Sequence, residues 1–136
     1  MKRIVLALTV AMLPLLAHAE DASAPAAVKP ARQVIHRGEI GQTPVEAAFR
    51  YLKDRIADER GIANYQQLRI AQQSKGEDVQ HVKLEIETRG LLDDAIAAQR
   101  FKFALSFEGE VWVVDSASQD WQCRRGGKGW TQKPCK

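Results

Sequence analysis

The sequence predicts an α+β domain, with one N-terminal helix packed on a curved four-stranded antiparallel sheet and a C-terminal disulfide loop. Three observations predict it. A capping box opens a helical repeat at Thr43, the apolar spacing changes from about 3.6 to 2 after Gly61, and Cys123 and Cys135 lie close together near the chain end. With 136 residues there is material for one compact domain with a real core, but not for two. A hydrophobic share of 45% and a charged share of 27% match an ordinary globular chain and argue against both a membrane bundle and a disordered protein.

Residues 1–19 stand apart from that domain. Met1-Lys2-Arg3 is a basic head. Ile4 to Leu16 is an apolar run broken only by Thr9 and Pro14, too short to span a bilayer as a helix, and Ala17-His18-Ala19 is a small-residue cleavage site. This is the pattern of a secretory signal cleaved after Ala19, so a periplasmic or secreted protein is expected. A retained membrane anchor is the rival reading, and the segment's length and cleavage site argue against it. No cysteine follows the site, which argues against a lipid-anchored form. Losing Lys2 and Arg3 takes the net charge from +3 to +1. That charge is unevenly spread, because Trp121 to Lys136 holds Arg124, Arg125, Lys128, Lys133 and Lys136 and no acid. Residues 20–32, rich in alanine with Pro25 and Pro30, read as a flexible linker, and 33–136 as a single α+β domain.

In chain order, Gln33 to Ile40 reads as a short edge strand with Val34, His36 and Gly38 on one face. Thr43-Pro44-Val45-Glu46 is the capping box, with proline at the first helical position, where it loses no hydrogen bond. Val45, Ala48, Phe49, Leu52 and Ile56 recur on one helical face, and Gly61 offers a left-handed stop after Arg60. Glu46 with Arg50, and Arg55 with Glu59, are spaced as ion pairs on the wet side. Leu68 and Ile70, then Val82, Leu84 and Ile86, alternate with polar residues around the turn Ser74-Lys75-Gly76-Glu77, which predicts two half-buried antiparallel strands. Leu91 to Ala98 fits either a helical turn or a long loop.

Phe101, Phe103, Leu105 and Phe107 give the cleanest alternation and predict the central strand. A two-residue turn at Glu108-Gly109 or at Gly109-Glu110 puts Trp112 and Val114 on the same face as the phenylalanines, because both registers preserve parity. Asp115 to Asp120 is polar and reads as irregular, with a bulge, before Trp121 resumes the strand.

One helix followed by four antiparallel strands resembles the element order of cystatin-like and NTF2-like folds. The resemblance implies a helix cradled by a sheet and carries no function, since such scaffolds host many. The glutamine-x-valine-x-glycine loop of cystatin protease inhibitors does not fit the nearest run, Gln33 to Gly38, so no inhibitory residue is transferred. The tail Asp120-Trp121-Gln122-Cys123-Arg124-Arg125-Gly126-Gly127-Lys128-Gly129, closing at Lys133-Pro134-Cys135, resembles that of small exported bacterial proteins of uncharacterised function. It implies no activity.

Tested for chemistry, the chain offers little. An even cysteine count in an exported protein predicts a Cys123–Cys135 disulfide, with a metal pair as the alternative. His36 and His81 are each isolated, so no metal site and no cofactor is expected. The acid pairs Glu85 and Glu87, Asp93 and Asp94, and Glu108 and Glu110 fall on a solvent face or in turns, and no catalytic residue is assigned. Gly126-Gly127-Lys128-Gly129 lacks the ending of a phosphate loop.

What remains is the ring, where Arg124, Arg125, Lys128, Trp130 and Lys133 are candidate binding residues. Arginine pairs carboxylate or phosphate, and tryptophan stacks or buries apolar surface. Lipid headgroups, cell-wall polymers, acidic proteins and nucleic acid all match that chemistry, nucleic acid being the least expected. The plainer reading has the disulfide stapling the chain end, Trp121 packing into the core and the charges keeping the loop soluble. The expected function is an exported, non-catalytic binding module contacting an envelope protein or an anionic envelope component. The alternative is a small enzyme or ligand-binding protein with a pocket between helix and sheet.

Overall fold

A computed structural model describes residues 33–136; the predicted signal segment and linker lie outside the described residues. The elements run β1 (His36–Arg37), α1 (Pro44–Ile56), β2 (Gln67–Lys75), β3 (Asp78–Arg89), β4 (Ile96–Glu108), β5 (Val111–Cys123) and β6 (Trp130–Thr131). All strands join one antiparallel sheet in the order β1-β5-β4-β3-β2, with β6 also on β5. The predicted mixture of one helix and an antiparallel sheet is present. The strand count is not: the sheet has six strands rather than four, and β1 precedes the helix. β1 is the short edge strand expected within Gln33 to Ile40, reduced to two residues, and β6 is the unexpected one; they pair with opposite ends of β5, at Val113–Val114 and Trp121–Gln122. β6, two residues long, is too short to show an alternating pattern.

The helix starts where its capping chemistry places it. Thr43 Oγ1 accepts from the Glu46 amide at 3.3 Å and the Glu46 carboxylate accepts from the Thr43 amide at 2.6 Å, holding the glutamate below the usual carboxylate range. Glu46 is therefore committed to the cap, and Arg50 pairs with Glu39 instead. The helix ends at Ile56, short of the expected stop at Gly61. The backbone turns extended at the C-cap Ala57; in the loop that follows, Asp58 Oδ1 accepts from the Arg60 and Ile62 amides at 2.9 and 2.8 Å, and Gly61 turns the chain at φ 83°.

Ala47, Ala48, Leu52 and Ile56 seat α1 on Val82, Leu84 and Ile86 of β3, Phe101, Phe103 and Leu105 of β4, and Val114 of β5. Phe101 is 1% exposed, and Tyr51 meets Phe103 edge-on at 5.9 Å. The β4–β5 turn is Gly109-Glu110, and the pairs Phe107↔Trp112 and Leu105↔Val114 keep those side chains on one face, as parity requires. Asp115 is the bulged residue, since Ala104 pairs with Ser116 and Leu105 with Val114; the rest of the polar stretch is regular strand. Leu91 to Ala98 holds no helical turn: it is loop to Ala95, and Ile96 begins β4. Leu68 and Ile70 are not half-buried in the core, each remaining 41% exposed, because α1 packs over β3 to β5 and leaves β2 uncovered. Among the described residues no helix is long and apolar enough to cross a membrane.

Candidate functional site

In an antiparallel ladder, residues directly opposite one another share a face, so the register lays out the side of the sheet away from α1. One row across β2 to β5 reads Arg69, Glu87, Arg100, Asp120. The next is Ala71, Glu85, Lys102, Ser118, and beyond it Gln73, Lys83, Ala104, Ser116. Small residues alternate with long charged ones. The result is a trough of about 460 Å³ floored by Ala71, Ala104, Ser116 and Ser118 and walled by Arg69, Lys83, Glu85 and Lys102.

The charges at one end of the trough are used up internally. Asp120, 4% exposed, accepts from Arg100 Nη2 and from Lys102 Nζ, each at 2.7 Å. Lys102, and then Arg100, hold its carboxyl below the usual range against the opposing effect of burial. Glu85 stands 4.0 Å from Arg100 and Glu87 pairs with Arg89, so this acid pair serves neighbouring cations rather than each other. Arg69 and Lys83 differ. Among the described residues neither has a carboxylate partner, and both line the trough.

The C-terminal ring closes that end of the same face. Cys123 and Cys135 form the predicted disulfide, which sets the metal-pair alternative aside and is compatible with an exported protein. The candidate residues of the ring part company. Trp130 lies over Arg100, 4.3 Å from guanidinium carbon to ring centre, with Arg89 at 6.0 Å. Arg124 donates to the Asp93 and Leu91 carbonyls at 2.8 and 2.9 Å, and its amide donates to Ala95, so it braces the β3–β4 loop. Arg125, Lys128 and Lys133 stay exposed. Trp121 is half-buried opposite Gln99 and lies outside the core cluster, contrary to the core packing expected of it.

Comparison with protein families, curated proteins and solved structures finds no match to this chain. Its own geometry has to carry the functional reading. Between α1 and the sheet there is a cavity of only about 60 Å³, bordered by Tyr51, Arg55, Phe101 and Gln119. That is well below the roughly 300–1,000 Å³ of ordinary ligand pockets. The room lies instead on the opposite side of the sheet, where sequence reasoning placed no site. Arg69, Lys83 and Lys102 were each visible as the polar partners of an alternating strand, but nothing local to a strand says which of them share a row. Among the described residues no group of three or more His, Cys, Asp or Glu side chains is placed to hold a metal ion.

Proposed function

We propose that the protein is an exported, non-catalytic binding module that receives an anionic partner of the cell envelope on the open face of its sheet. The observation that carries this reading is the pair Arg69 and Lys83, two cations without a carboxylate partner among the described residues, facing a trough floored by small side chains, Ala71, Ala104, Ser116 and Ser118. Lys102 stands on the same wall but is engaged by Asp120. Arg125, Lys128 and Lys133 extend positive charge beyond Trp130, so the ring contributes to capture without being the docking site itself. The helix seated on the antiparallel run β3 to β5 supports a cystatin-like or NTF2-like kind of fold. The tail's resemblance to small exported bacterial proteins and the pattern of residues 1–19 support export.

Titration with a glutamate homopeptide of about ten residues tests the reading, since a flexible polyanion needs only matched charge. Arg69→Ala and Lys83→Ala are each expected to weaken binding about threefold or more, with affinity falling steeply as salt rises and thermal stability unchanged. Arg125→Ala, Lys128→Ala and Lys133→Ala together should cost less than either. A homopeptide that binds the Arg69→Ala/Lys83→Ala double variant as tightly as the unaltered protein would remove the trough from the account.

A further inference from the structure

Among the described residues the sheet has one long uncovered edge. β1 and β6 pair with β5 on the far side, whereas among the described residues β2 pairs only with β3, so every other residue of this nine-residue strand turns its backbone N–H and C=O to an open side. Natural edge strands are commonly interrupted by proline or by a bulge that turns the backbone away. β2 has no proline, and its one irregularity lies at Ser74/Lys75, so Gln67 to Gln73 is an unbroken template. Its side chains divide cleanly: Leu68 and Ile70, both substantially exposed, face the helix side, and Arg69 faces the trough.

The charge on β2 decides what can lie there. The strand carries Arg69 and Lys75 and no acid. A second copy is a poor occupant in every register that keeps apolar residues on one face. Centring the pair on Arg69 sets two guanidiniums directly opposite. Centring it on Ile70 sets them diagonally, within reach of each other. Centring it on Ala71 avoids that clash but faces Leu68 with Ser74 and Ile70 with Gln72. A foreign strand meets none of these costs if it carries an acid across from Arg69 and apolar residues on either side of it.

We propose that β2 is a strand-addition site that takes an extended acidic segment of a partner protein, its apolar residues against Leu68 and Ile70 and its carboxylate on Arg69. The affinity would come from main-chain bonds to the open edge and the selectivity from alternate side chains. This deepens the function proposed above and rests on it for the sign of the partner's charge, not for the existence of the edge. Because Arg69 also walls the trough, the same carboxylate enters the anion site.

The test uses a capped synthetic peptide alternating valine and glutamate, about seven residues long, near the length of a typical strand. Its controls are a peptide of the same composition with the valines and glutamates in separate blocks, and an alternating valine–lysine peptide. The alternating acidic peptide is expected to bind about tenfold more tightly than either control and to slow amide exchange across Gln67 to Gln73 only. The Leu68→Ser/Ile70→Thr variant should lose that preference while still binding the glutamate homopeptide. Equal binding of the block peptide, no binding of either acidic peptide, or protection elsewhere overturns the proposal. So does a dimer in sedimentation that this variant disperses, which would assign the edge to a second copy. If the alternating peptide binds and the homopeptide does not, the trough reading fails and strand addition stands.

Discussion

On the helix side of the sheet, β3, β4 and β5 contribute Val82, Leu84, Ile86, Phe101, Phe103, Leu105 and Val114, all buried beneath α1. On the other side, residues of the same strands are Glu85, Glu87, Arg100, Lys102 and Asp120, joined in ion pairs of which Asp120 and Arg100 are the best shielded. One face is held by area removed from water, which is insensitive to pH and largely indifferent to salt. The other is held by geometry among charges, which is neither. Stability thus resides mainly on one face, leaving the other free to keep Arg69 and Lys83 unpaired.

The largest expected effect comes from damaging the helix side. Phe101→Ala leaves a cavity at the centre of the core and should cost about 3–5 kcal/mol, read from the shift in urea midpoint. Because Phe101 faces away from the trough, whatever fraction remains folded should bind the glutamate homopeptide unchanged. A loss of affinity in the folded fraction would show that the two faces are not independent.

Removing the staple should have a smaller effect and should act on the open side. Replacing Cys123 and Cys135 with serine frees a ring of twelve-residue separation, and loop-closure entropy sets the loss at up to about 3 kcal/mol. Trp130 would then leave Arg100, which near-ultraviolet circular dichroism of the folded protein should report as a weakened tryptophan signal. An unchanged signal with lowered stability would mean that the β5–β6 pairing, rather than the disulfide, holds the tryptophan in place.

What could be read from the chain follows the same division. The start of α1 was legible because Thr43 and Glu46 complete their bonds within four residues, and the β4–β5 parity because a two-residue turn fixes it. The burial of Leu68 and Ile70 was misread because alternation assigns a face but does not say whether a helix covers it. Arg124 read as a free cation because the carbonyls that engage it, those of Asp93 and Leu91, are 31 and 33 residues away. The trough was invisible for the same reason: Arg69, Lys83 and Lys102 belong to three strands and meet only through cross-strand register. Local chemistry was readable, and contacts set by tertiary pairing were not.

The smallest expected effect distinguishes the faces by pH. Asp120→Asn removes the carboxylate that Arg100 and Lys102 share. Lys102 is about half exposed and solvent screens it, so the loss at neutral pH is on the order of 1–2 kcal/mol. The sign of the pH dependence follows from the folded-state shift, which is downward. A lowered carboxylate pKa contributes stability that is present in full above the unfolded value, about 3.9, and is lost as pH falls through the folded value. The unaltered protein and Asp120→Asn should therefore differ most at pH 5 and above and converge in acid. Phe101→Ala should keep a constant deficit over the same range. Parallel pH profiles for Asp120→Asn would show that the carboxylate stabilises the fold through packing, and the distinction between an apolar face and an electrostatic one would then fail at its best-shielded ion pair.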